Sequence, residues 1–315
     1  MARTFDEYLG KHPALYGQAL IQSLDVQEPP VDEYAVADFI GCDIAEIDTE
    51  DIAALPHMWN ILRVAPAHFV KQKNLILVHG EMRPERKRTC VFHESGHGVI
   101  PWHIQLNYAC TENAFEPIVH RLVEREAFTC GAEIQMPRHL FIPDAMDLPL
   151  GIEAIKILAT RYAASLETTA IRYAQIHRRI CAIVMIEPSE PHRPTTTANG
   201  NPPNQLSFSF RDLLADGPAK DQNRCPLRVK YSACSPGFRK YIHPGTGIAE
   251  GTLIFEAWDT GIARDGELPA SVFGSSTQEV YCAEIFPLGQ RGKVMVLLLL
   301  SDHQLVLHTG WEVVQ

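Results

Sequence analysis

The spacing of apolar residues changes period several times along the chain. Residues 5–24 and 31–40 carry them at helical intervals, and Glu28-Pro29-Pro30 between the two segments is a helix stop. From Asn60 the texture becomes β-like: ILRVAPAHFV and LILVHG predict two short strands joined by the polar turn KQKN. A helix is expected next, from Pro84 to Val99, with Pro84 suited to its first turn and Pro101 ending it. Residues 115–133 fit a second helix, apolar at Phe115, Ile118, Val119, Leu122 and Val123, which Met136-Pro137 closes. Residues 152–180 hold two more helical stretches around Ala164-Ser165, and Ser165 is a good N-cap for the second.

Residues 189–204, SEPHRPTTTANGNPPN, have no apolar period and read as a flexible linker. Beyond them the expected elements are strands: Leu227–Tyr231, Gly251–Ala257, Glu279–Ile285, Lys293–Leu300 and Gln304–His308. The whole predicts an α+β protein, and at 315 residues two or three domains.

Composition narrows the function classes. A hydrophobic content of 46% with 21% charged residues describes a globular chain, and the formal net charge of −10 argues against a sequence-independent nucleic-acid binder. The first residues show no basic segment followed by an apolar one, and VMVLLLL at 294–300 is too short to span a bilayer. Eight scattered cysteines without a C-x-x-C pair fit reduced thiols. The expected location is the cytoplasm, with no membrane partner.

His93-Glu94-Ser95-Gly96-His97 is an H-E-x-x-H motif inside the expected 84–99 helix. Its spacing puts both imidazoles on one helix face, one turn apart, where they can share a Zn²⁺. Glu94 can then reach a metal-bound water without ligating, and serve as the general base. A catalytic zinc needs a third protein ligand. The 115–133 helix offers Glu124 and Glu126, which about 200° of helical rotation keeps from facing the metal together. Spacing does not choose between them. His79, His103 and His120 are read as solvated or as partners of the ligands, and Cys90 as a small buried residue.

Strand LILVHG, then RPERKRTCVFHESGH, then VEREAFTCGAEIQMP resembles the ImmA/IrrE family of zinc metallopeptidases, with the nearest likeness to the branch of the Deinococcus radiation-response protease. The resemblance implies a zincin-like fold and a third ligand twelve residues before the methionine of the Met-Pro pair, which is Glu124. It implies Zn²⁺, with Mn²⁺ as a substitute that two imidazoles and a carboxylate also suit. It further implies a helix-turn-helix-like segment, matched by LATRYAASLETTAIRYAQI, and a GAF-like β-domain, matched by LRVKYSACSPGFRKYIHPGTG. The organisation expected is a metallopeptidase domain at 1–137, a helix-turn-helix-like segment at 138–188, the linker at 189–204 and a GAF-like domain at 205–315. One departure is Phe128, four residues after Glu124, where the family often carries an Asn.

By the same implication the activity is regulatory proteolysis of a helix-turn-helix transcriptional repressor. Zinc peptidases of this plan line the cleft with the strand before the metal helix, so residues 75–80 are expected to form an edge that pairs with an extended peptide. The competing class is a DNA-binding regulator with a structural or vestigial zinc site. Its candidate recognition helix, Ser165–Ile176, holds one arginine, Arg172, plus Gln175, with Arg178 and Arg179 just beyond. The C-terminal domain is expected to bind a small molecule or to make a dimer contact.

Overall fold

The computed structural model describes residues 12–48, 66–105, 116–189 and 226–300. Expected helix residues 5–11, Phe115, linker positions 190–204 and the strand at 304–308 lie outside the described residues. The chain divides into two compact units, Met1–Tyr173 and Ala174–Gln315.

The first unit begins with helices α1 (Ala14–Ser23) and α2 (Glu33–Phe39). Asp32 caps α2 by accepting from the Tyr34 and Ala35 N–H groups. Three strands follow: β1 (Asp43–Ile47), β2 (Ala67–Val70) and β3 (Leu75–His79), in the order β1-β3-β2. Sequence pattern had put no strand at 43–47, yet β1 runs parallel to β3, with Ile44 opposite Ile76.

β3 is therefore central, and the expectation that residues 75–80 form an edge is overturned. The continuous burial of Ile76, Leu77 and Val78 is what a strand covered on both faces requires. Among the described strands, β2 is the edge next to the helix at 84–99. The His79 N–H bonds to the Pro66 carbonyl. By antiparallel alternation, Ala67 and Phe69 turn their main-chain groups away from β3.

Helix α3 (Pro84–Val99) is packed between this sheet and a helical layer. On one side Val91 meets Ala67, Ile76 and Val78. On the other, Phe92 and Val99 join Tyr16, Leu20 and Ile21 of α1 and Cys130 and Ile134 of α4 (Glu116–Gln135). Pro84 occupies the first turn of α3, where its missing N–H costs nothing.

After Met136-Pro137 come α5 (Arg138–Asp147), α6 (Ile152–Arg161) and α7 (Leu166–Ile176). Ser165 caps α7 as expected, its hydroxyl accepting from the Thr168 N–H at 3.1 Å. Arg172 of α7 is only 4% exposed. It donates from Nε and Nη2 to the Met136 carbonyl, and Nη2 lies 2.5 Å from Glu133 Oε2. The arginine of the candidate recognition helix thus faces inward and holds the Met136-Pro137 turn.

The second unit is a six-stranded antiparallel sheet. Its strands are β4 (Cys181–Pro188), β5 (Leu227–Cys234), β6 (Gly247–Ile248), β7 (Arg264–Pro269), β8 (Val280–Leu288) and β9 (Lys293–Leu300), in the order β6-β5-β4-β9-β8-β7. β4 lies within the stretch read as the helical segment; it is an inner strand between β5 and β9, and its CAIVMI run is buried throughout. The strand expected at Gly251–Ala257 is instead helix α8 (Leu253–Thr260). Thr252 caps it through the Phe255 N–H, Gly261 ends it in the left-handed conformation, and Ile254 and Ala257 bury one face. No helix among the described residues is long and apolar enough to cross a membrane. The six cysteines among them are free.

Candidate metal centre

His93, Glu94 and His97 sit in the C-terminal half of α3, and Glu124 comes from α4. The two helices can approach this closely because glycines face the contact. A Cβ at Gly96 would stand 2.7 Å from the Ala127 carbonyl oxygen, and one at Gly131 would stand 2.7 Å from that of Phe92. Backbone meets backbone, so Gly96 is a fixed part of the motif here rather than a free position.

The structure brings the three ligand candidates together. His93 Nε2 lies 3.1 Å from Glu124 Oε2 and 3.2 Å from His97 Nε2, and His97 Nε2 lies 3.4 Å from Glu124 Oε1. Atoms placed 2.0–2.2 Å from a tetrahedral zinc would themselves be ~3.3 Å apart, so these side chains fit such an ion with little rearrangement. Burial alone would raise the Glu124 carboxyl, but hydrogen bonds from His93 and His97 outweigh it and hold the group well below the usual carboxylate range.

Glu94 is 8% exposed. Burial, reinforced by the Glu124 carboxylate, pushes its carboxyl up to about 7, against the opposing pull of His97 and of a hydrogen bond from the Phe69 N–H. That N–H belongs to the outward-turned edge of β2. His68, also on β2, is held below its ordinary value by burial and by His97. Sequence reading singled out neither Phe69 nor His68, because nothing in the local pattern ties β2 to α3.

Glu126 does not face the ligand cluster. Its Oε2 accepts from Trp102 Nε1 at 2.6 Å and lies 3.0 Å from His103 Nε2. His103 is buried, which lowers its pKa despite the hydrogen bond to Glu126, and its Nδ1 lies 3.1 Å from His97 Nδ1. Phe128 lays its ring against His93, with centroids 4.1 Å apart, and remains 58% exposed. His93 Nδ1 is buried with no hydrogen-bond partner among the described residues, and the Phe128 ring beside it supplies no polar contact.

Residues 51–173 match the peptidase M78 family model, described as the IrrE N-terminal-like domain, which supports the ImmA/IrrE family. No curated protein matches the chain. A solved structure described as a Mycobacterium tuberculosis transcriptional regulator aligns with a TM-score of 0.57 over 99% of this chain and 84% of that one. At 10% identity this is a likeness of fold.

Proposed function

We propose that the protein is a metal-dependent regulatory endopeptidase of the ImmA/IrrE family, with His93, His97 and Glu124 holding Zn²⁺ or Mn²⁺ and Glu94 as general base. The observation that carries this reading is the triangle of ligand atoms, 3.1–3.4 Å on a side, beside a buried carboxylate. A cation held there supplies Lewis acidity, lowering the pKa of a water and polarising a peptide carbonyl.

The chain's own residues account for the rest. Glu94 follows a ligand by one residue, and the Phe69 N–H orients its carboxylate. In that position it can take a proton and pass it to the leaving amine. The Ala67 N–H and the Ala67 and Phe69 carbonyls turn outward on β2, beside that carboxylate. An extended peptide pairing there lays its backbone across the site, main chain to main chain. The role expected of residues 75–80 passes to β2.

The substrate is a helix-turn-helix transcriptional repressor, cut once in an exposed segment. Family resemblance motivates this choice, and the neighbour's description as a transcriptional regulator is in keeping with a part in gene control. The C-terminal sheet is a GAF-like sensor or dimer module, the helices α6 and α7 are the helix-turn-helix-like pair, and the protein works in the cytoplasm. A DNA-binding regulator with a structural or vestigial zinc site would have to read bases without Arg172, which is buried against Glu133. Metal analysis together with cleavage of repressors from the same genome tests the proposal. One Zn²⁺ or Mn²⁺ per chain and a single cut are expected, and a purified protein with no affinity for either ion counts against it.

A further inference from the structure

Behind the ligand cluster runs a chain of hydrogen bonds that leads away from the metal side of His97. Pro101 ends α3, and a 3-10 turn over Pro101–Gln105 folds the backbone so that the His103 N–H reaches the Ile100 carbonyl. This returns His103 underneath His97, at 1% exposure. His97 Nδ1 faces His103 Nδ1 at 3.1 Å, and His103 Nε2 faces Glu126 Oε2 at 3.0 Å. The same carboxylate oxygen accepts from Trp102 Nε1, which pins it in place.

The directions of these bonds follow from one fact: a carboxylate only accepts. His103 must therefore donate from Nε2. A neutral imidazole has a single N–H, so His103 Nδ1 is an acceptor, and the proton between the two rings belongs to His97 Nδ1. That leaves a lone pair on His97 Nε2, the atom 3.2 Å from His93 Nε2 and 3.4 Å from Glu124. With a cation at Nε2, in place of the proton that Glu124 attracts there, an Nδ1–H on His97 is the one arrangement that also satisfies His103 and Glu126.

We propose that Glu126 and His103 are positioning residues that lock His97 in its Nδ1–H tautomer and aim its Nε2 lone pair at the bound cation. The inference rests on the metallopeptidase reading for the cation, and the tautomer follows from the hydrogen bonds behind His97 once a cation takes the Nε2 lone pair. It also makes the two histidine ligands unequal. His97 is backed by two residues in series, whereas His93 Nδ1 is buried without a hydrogen-bond partner among the described residues. Sequence reading weighed Glu126 as a rival to Glu124, but the fold gives it a place two hydrogen bonds behind the ligand.

Zinc titration of the full chain against a competing chelator tests this without any substrate. Removing such a partner typically weakens metal binding by about 10–100-fold. His103→Phe, which keeps a ring but offers no acceptor, should show that loss. Glu126→Gln, close in size and at a less buried position, should show part of it and guards against a folding defect in the first variant. His103→Asn places a carbonyl oxygen where Nδ1 stood and should recover most of the affinity. In the zinc-loaded wild type, nitrogen NMR of the imidazoles should find the proton of His97 on Nδ1. Wild-type affinity in both His103→Phe and Glu126→Gln would overturn the lock and leave the metal site standing, whereas a His97 proton on Nε2 would overturn the lock and remove that atom as a ligand too. A wild-type chain that takes up no zinc is a separate result, which removes the metallopeptidase reading and this inference together.

Discussion

The Nε2 atoms of His93 and His97 lie 3.2 Å apart, on rings that meet edge to face at 89°. Two imidazole nitrogens gain little from such proximity unless something between them attracts both lone pairs. Glu124, presenting one oxygen to each, completes a negatively charged opening for a cation. His93→Ala, His97→Ala and Glu124→Gln should each abolish stoichiometric zinc binding. Glu126→Gln should still fill at saturating zinc, with reduced affinity. Elemental analysis after desalting reads the difference, and a loaded Glu124→Gln beside an empty Glu126→Gln would reverse the assignment.

The buried Glu94 makes the stability of the metal-free protein depend on pH. Its carboxyl rises from 4.5 to about 7 on folding, chiefly through burial. A group raised in this way contributes stability below its unfolded value and loses it as pH climbs through the folded one. The loss is on the order of 3 kcal/mol, taking 1.36 kcal/mol per pKa unit. Chelated wild type should therefore melt progressively lower between those two pH values, and chelated Glu94→Gln should lack that component. Calorimetry on the pair reads it directly. Parallel melting profiles would show that Glu94 carries no such desolvation cost.

Gly96 lies against the Ala127 carbonyl, with no space for a methyl group. Gly96→Ala must push α3 from α4, at about 1–3 kcal/mol for overpacking, and draw Glu124 away from the imidazoles. The expected outcome is a lower Tm together with weaker zinc binding. A variant that melts lower yet binds zinc as tightly as wild type would uncouple the helix contact from the metal site.

Much of this was legible because it is local. The 84–99 helix, the Ser165 cap and the 293–300 strand follow from residues close in sequence, as does the one-turn spacing of His93 and His97. Sheet order was not legible, because β1 pairs with a strand some thirty residues away, opposite Leu75 rather than a neighbour in sequence. LIFEAW at 253–258 is apolar enough to suggest a strand, and the signals that make it a helix, Thr252 and Gly261, lie outside that run. The burial of Arg172 depends on Glu133 in another helix. The place of Glu126 depends on the reversal at Pro101, which brings Trp102 and His103 back to it.

The edge position of β2 yields a contrast between two proline variants. Ala67 turns its N–H away from β3, so Ala67→Pro costs no ladder bond but removes an outward donor. It should retain zinc while slowing cleavage of an extended peptide about 10-fold, the equivalent of one hydrogen bond of about 1.4 kcal/mol. Ile76 lies at the centre of the sheet, and Ile76→Pro should prevent folding altogether. Cleavage kinetics beside circular dichroism distinguish the two. Normal peptide cleavage by Ala67→Pro would remove β2 as the substrate-binding edge.

The account stands most directly on the difference in cleavage between wild type and Glu94→Gln, both zinc-loaded and incubated with helix-turn-helix repressors from the same genome. Gln keeps the size of the side chain but cannot take the proton, which should cost at least ~10²-fold in rate. The measurement is the appearance of one pair of fragments, followed by mass spectrometry with casein as a control. The account expects a single cut in one repressor by the wild type, essentially none by Glu94→Gln, and casein left largely intact. Equal cleavage by the two proteins, or intact repressors beside freely digested casein, would contradict it.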